Sequence, residues 1–149
     1  WNIADREIKA MRELLKPDGM VGIEQHRARA DAPYSYSDGS KGYLREADVI
    51  RFMELNGFTY VGKSQANANP KDPANWPDGV WTLPPSLRGG EKDKDKYLAI
   101  GESDRMTLKF RKPDTAALAP GDTLLSRLVM PRAGHGSNAA GRPATHRRA

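Results

Sequence analysis

Apolar residues recur at Ala4, Ile8, Met11, Leu14 and Leu15. This is the three-and-four spacing of a helix with one buried stripe. The pattern predicts a helix over 3–16, with Asp5 and Glu7 near its start and Lys16 near its end, as the helix dipole favours. Pro17 stops it, and Asp18-Gly19 supplies a turn. Met20–Ile23 follows as a short continuous apolar run, the signature of a parallel strand covered on both faces, and ends in the polar stretch Glu24–Arg27. Residues 28–42 read as a loop holding Tyr34 and Tyr36. A second helix is expected over 44–56, with Val49, Ile50, Met53 and Phe52 inward and Asn56-Gly57 as its cap. Residues 58–64 read as a strand rich in β-branched and aromatic side chains. From 65 to 92, prolines and asparagines disfavour regular structure, yet Trp76, Val80, Trp81 and Leu83 are apolar. An ordered loop packed over a cleft or edge is expected there. A helical turn at 94–100 and an alternating strand at 106–110 complete the folded part, which Pro113 closes.

Composition changes this picture mainly at the carboxyl end. Residues 114–149 hold eight alanines, four glycines, three prolines and no aromatic side chain. Apart from a short helix around Leu124–Val129, such a segment buries too little surface to offset its ordering entropy, so a flexible tail is expected. Of the net charge of +5, the tail carries +3 and the first 113 residues only +2. A basic tail gives non-specific phosphate attraction, and no clustered basic face points to a dedicated nucleic-acid partner. With no cysteine, a disulfide scaffold and a cysteine-ligated zinc site are excluded. No apolar run approaches the roughly 20 residues of a membrane span. The chain begins at Trp1 with no signal-peptide pattern in view, and is expected to begin inside a longer protein.

The order helix, strand, helix, strand, long loop, strand matches the second half of a doubly wound sheet. Several strings sharpen the match: Gly22–Ala28 (GIEQHRA), Gly42–Ile50 (GYLREADVI), Asn67–Pro85 (NANPKDPANWPDGVWTLPP) and Ile100–Pro113 (IGESDRMTLKFRKP). Together they resemble a bacterial family of class I, S-adenosylmethionine-dependent methyltransferases over residues 1–113; the tail does not match. At Leu14–Gly19 the usual helix-to-strand turn of that fold is present, with Asp18 where glycine is common. The resemblance implies an α/β, Rossmann-like three-layer sandwich. Its last strand would run antiparallel and slot between the two before it. Methyl transfer from S-adenosylmethionine to a small molecule would be the activity, by in-line attack aided by positioning. The resemblance also allows an exported, periplasmic location. Family members carry an Asn-Trp pair after the fourth strand; Trp1 stands where that Trp would be and would border the cofactor. The strand, glycine-rich turn and helix that cradle the cofactor in this fold are not in this chain: Gly89-Gly90 sits among charged residues in a loop. The chain alone is therefore expected to bind the cofactor weakly or not at all.

Candidate chemistry follows from strand ends, because ligands of open α/β sheets bind beyond the carboxyl ends of parallel strands. Glu24 and His26 stand there, a carboxylate and an imidazole suited to deprotonate or position a nucleophile, and equally suited to bonding the next loop. Arg27 is next in line as a substrate contact. Tyr43, just before the second helix, offers a stacking ring and a hydroxyl, while Glu46 suits the first turn of that helix. Asn67 and Asn69 offer amides to a polar substrate and are also natural turn-forming residues. Trp81 and Trp76 serve as a substrate platform or as apolar pins of the long loop. No metal-ligand spacing is present, and Ser103-Asp104 with His135 lacks the strand-elbow-helix setting of a catalytic triad. A competing reading is a non-enzymatic binding or assembly module, since a half-sheet leaves an exposed edge and an uncovered apolar face that invite self-association.

Overall fold

The structure is a computed structural model that describes residues 4–114. Its elements are α1 (Ala4–Leu14), β1 (Met20–His26), α2 (Tyr34–Ser37), α3 (Glu46–Leu55), β2 (Thr59–Ser64), a 3₁₀ turn (Gly79–Thr82), α4 (Lys94–Ile100) and β3 (Arg105–Arg111). Each main helix and strand expected from the hydrophobic pattern is present, with ends shifted by a few residues. The short helix α2 and the 3₁₀ turn were expected as loop. The expected tail and Trp1 lie outside the described residues.

The three strands form one sheet in the order β1-β3-β2, with β3 antiparallel to both neighbours. The last of the described strands is thus the middle one, and β1 and β2 flank it pointing the same way. Met20 pairs with Arg111 and His26 with Arg105 on one side; Thr59 pairs with Arg111 and Ser64 with Thr107 on the other. A bulge between Tyr60 and Gly62 shifts the register of β2, so that Lys63 faces Leu108.

One face of the sheet carries the main core. Val21 and Ile23 of β1, Tyr60 of β2 and Met106, Leu108 and Phe110 of β3 meet Ile8 and Met11 of α1 and Val49 and Met53 of α3. The period-two alternation of a strand puts those side chains on one side and Glu24, Thr107 and Lys109 on the other. The continuous apolar run Met20–Ile23 suggested a strand covered on both faces. Instead β1 is longer, alternates, and leaves Met20 42% exposed. In the described residues the fold is therefore a mixed helix and strand domain of two layers, where three were expected. Leu14 departs in a similar way. It was expected in the helical stripe, but lies 87% exposed, while Ile8, Met11 and Leu15 at spacings of three and four point inward.

A second, smaller core gathers Ala28, Ala32, Tyr43, Ala74 and Val80, with Tyr36, Trp76 and Trp81 packed against it. It anchors the long segment between β2 and α4. Gly79 makes the anchor possible. Its φ is +70°, and a Cβ built there would lie 2.2 Å from the carbonyl oxygen of Lys41. Only glycine allows that approach, and it lets the Val80 amide donate to the same carbonyl at 3.0 Å.

Candidate functional site

Because β1 and β2 are parallel and β3 runs back between them, the carboxyl ends of β1 and β2 meet the amino end of β3. Glu24 and His26 close β1, Asn67 and Asn69 follow β2, and Glu102, Ser103 and Arg105 lead into β3. An open polar cavity of about 220 Å³ lies at this junction, lined by Asn67, Asn69, Glu102, Ser103 and Arg105 with two alanines. It is small by the standard of ligand clefts, and fits a small polar molecule or one end of a larger one.

Arg105 organises the charges. It donates from one terminal nitrogen to Glu24 at 3.0 Å and from the other to Glu102 at 2.5 Å. Its Nε is buried and has no hydrogen-bond partner among the described residues. Two carboxylates thus share one guanidinium at the rim. His26 lies beside this group with Nδ1 2.5 Å from the Ser103 hydroxyl oxygen. Burial lowers the pKa of His26 below its usual value, and the Arg105 charge lowers it further; Asp72, Glu24 and Glu102 oppose that only in part. His26 is therefore held neutral near pH 7.

Arg27 points elsewhere. Its guanidinium takes both oxygens of Asp104, at 2.8 and 3.0 Å, and reaches Glu46 and Gln65 at 3.3 Å. Hydrogen bonding to Asp104 raises the pKa of Arg27, partly opposed by burial. Glu46, at the start of α3, also receives Lys63 at 2.6 Å. Burial pushes the Glu46 carboxyl up, but the bonds from Lys63 and Arg27 outweigh it and hold it below its usual value. Arg27 thus ties β1 to α3 and to the start of β3. A separate cleft of about 410 Å³ opens beside it, lined by Arg27, Arg45, Glu46 and Asp48 among others.

Tyr43 has no exposed surface. Its ring stacks on Tyr36 with centroids 5.8 Å apart and meets His26 edge-on at 6.4 Å. Its hydroxyl donates to Asp72 at 2.8 Å. Burial raises the Tyr43 pKa, and the Asp72 bond raises it further. Tyr36 is likewise pushed up to about 12, by burial and then by the Asp72 charge. The Tyr43 ring is thus a packed part of the second core with no surface for a substrate to stack on. Asn69 is similarly occupied. Its amide nitrogen donates to the carbonyls of Ile100 and Glu102, and its oxygen accepts the Lys71 amide in an Asx turn. Asn67 donates to Thr107 at 2.9 Å and stays at the surface. Trp81 is half-buried in the second core under the Arg88 guanidinium, 4.9 Å from its ring centre, and does not line the polar cavity. Trp1 lies outside the described residues.

The structure therefore brings Glu24, His26, Asn67 and Asn69 to one junction and places Arg27, Tyr43 and Trp81 elsewhere. Three residues of weight were not found from sequence: Ser103, Arg105 and Asp72. Asp72 is a buried hub that accepts from the Tyr43 hydroxyl, the Trp76 indole and the amides of Ala74 and Asp104. The string from Ile100 to Pro113 carried Ser103 and Arg105 in plain sight, but their partners on β1 are about eighty positions away. Among the described residues no group of three or more His, Cys, Asp or Glu side chains is arranged to hold a metal ion, and no helix is long and apolar enough to cross a membrane. Gly89 and Gly90 lie in turns ahead of α4, not between a strand and a helix. No family model matches the chain, and neither does any curated protein or solved structure.

Proposed function

We propose that the chain is the carboxyl-terminal half of an S-adenosylmethionine-dependent methyltransferase, acting on a small polar molecule held at the junction of β1, β2 and β3. The observation that carries this reading is the antiparallel strand β3 lying between two parallel ones, with Glu24 and His26 near the carboxyl end of β1, beside the crevice. Crevices at the carboxyl ends of parallel strands are where open α/β sheets bind ligands. In this reading the chain supplies the acceptor side of the reaction. His26, neutral and half-buried, takes a proton, while Glu24 and Arg105 shape the rim. In this reading the strand, glycine-rich turn and helix that would cradle the cofactor lie outside residues 1–149. The test is methyl transfer from labelled S-adenosylmethionine to a panel of small alcohols, phenols and amines by a protein extended upstream of Trp1. Transfer that falls at least tenfold in His26→Gln supports the reading; transfer indifferent to both His26→Gln and Glu24→Gln refutes the assignment of this crevice.

A second reading has its own observation. Among the described residues nothing covers the sheet face opposite the main core, with Met20 42% and Val61 50% exposed along an apolar groove of about 430 Å³. A non-enzymatic assembly module would use such a face. Sedimentation of the 149-residue chain distinguishes the two: a concentration-dependent oligomer abolished by Val61→Lys favours assembly, and a monomer throughout favours the enzyme.

A further inference from the structure

The cavity at the strand junction is lined by Ser103, Asn67, Asn69, Glu102 and Arg105, but not by His26. His26 stands behind Ser103, with Nδ1 2.5 Å from the hydroxyl oxygen. We infer that Ser103 is the group that meets the ligand, and that His26 acts on the ligand only through it. This deepens the proposed function and rests on it.

The geometry allows one arrangement of protons that serves a base. The Ser103 O–H donates to Nδ1 of a neutral His26, whose remaining ring proton sits on Nε2. A ligand N–H or O–H that docks on the Ser103 oxygen passes its proton to that oxygen as the serine proton moves to Nδ1. The ligand heteroatom is left with its electron pair, Ser103 is regenerated as a hydroxyl, and His26 becomes an imidazolium. No other reactant is consumed. Burial and Arg105 on β3 disfavour the resulting charge, and Asp72 in the long loop, Glu24 on β1 and Glu102 before β3 offset that in part, so His26 holds the proton only transiently; the Tyr43 ring covers the imidazole edge-on. Ser103 is 5% exposed, so one small face of it, not the whole side chain, is offered to the cavity.

The same surroundings set the substrate class. Two carboxylates, Glu24 and Glu102, share the single guanidinium of Arg105 at the rim. A carboxylate or phosphate would meet a net negative rim. The cavity suits a small neutral or cationic molecule that bears the donor, such as an alcohol, a phenol or an amine.

The test is run on the 149-residue chain and needs no methyl transfer, so its failure is separate from failure of the methyltransferase reading. Phenylmethylsulfonyl fluoride is the probe: the Ser103 oxygen bonds to sulfur, fluoride leaves, and the serine proton goes to His26. Mass spectrometry follows labelling of Ser103 in the wild-type chain, in His26→Gln and in Tyr34→Phe, a surface control. Labelling at least tenfold faster in wild type and in the control than in His26→Gln supports the inference. Equal rates in all three, or no labelling of Ser103 in any, overturns it. Long-range nitrogen–proton spectra of the imidazoles, with His26→Gln assigning the signal, give the second arm. An unprotonated Nδ1 that loses its hydrogen-bond shift in Ser103→Ala and regains it in Ser103→Thr supports the relay. A protonated Nδ1 overturns it.

Discussion

The Tyr43 hydroxyl donates to Asp72 across 2.8 Å, and with that one bond the approach to α3 is joined to the long segment after β2. Asp72 passes the connection on through the Asp104 amide to the start of β3. The candidate crevice is therefore framed by a buried carboxylate that is not among its lining residues. Tyr43→Phe removes one donor from this hub without changing the ring. A buried acceptor that loses a neutral donor costs about 1–3 kcal/mol. Urea denaturation is expected to show that loss with an unchanged slope, and ring packing against Tyr36 is expected to survive.

Gly79, buried at the start of the 3₁₀ turn, is expected to resist substitution. An alanine at this position would need a left-handed backbone and would drive a Cβ to 2.2 Å from the Lys41 carbonyl. Gly79→Ala should cost on the order of 2 kcal/mol or more. Loss of protection of the Val80 amide in hydrogen exchange would locate the damage, since that amide donates to Lys41.

The register of α1 gives a paired prediction. Ile8→Ala removes a buried side chain of the main core and is expected to cost about 2–4 kcal/mol. Leu14→Ala, at an 87% exposed position, is expected to stay within about 0.5 kcal/mol. Thermal unfolding of the two variants decides between this register and the one the raw spacing suggests.

That pair shows how far the sequence could be read. The rhythm of Ile8, Met11 and Leu15 located α1, but Leu14 next to Leu15 looked equally apolar and nothing local told them apart. Only the sheet on one side decides which leucine is covered. Met20–Ile23 taught the same lesson in a strand. Four apolar residues in a row implied burial on both sides, yet the second face has no layer among the described residues, so alternate side chains stay bare. The antiparallel placement of β3 was expected from the family resemblance, and the strand is found there. At the site, Glu24 and His26 could be named because a strand end is visible locally. Ser103 and Asp72 could not be given roles, because these come from contacts that span 77 residues to His26 and 29 to Tyr43. The place of Tyr43 before a helix suggests a substrate contact; the second core that encloses it is assembled from segments far apart in the chain.

Stability should depend on pH through His26. Its folded pKa lies below the ordinary value of 6.5, with burial as the first cause and Arg105 as the second. The unfolded chain then binds the proton more readily than the folded one. The stabilising contribution is complete above pH 6.5 and is lost as pH falls through the folded pKa. Glu46 is also held low, so it loses its contribution in a lower range, below its ordinary 4.5. Unfolding midpoints measured from about pH 7.5 down to about 5 are expected to fall in the wild type. In His26→Gln that slope should flatten, while the loss due to Glu46, seen when the titration is carried below pH 4.5, remains.

Under the proposed function, this chain forms the acceptor side of a methyltransferase and does not hold the cofactor by itself. Calorimetric titration with S-adenosylhomocysteine tests it most directly, run on the 149-residue chain and on a protein extended upstream of Trp1. The account predicts little or no heat of binding from the shorter protein and saturable one-to-one binding by the longer one. Tight binding by the shorter protein, or none by either, would contradict it.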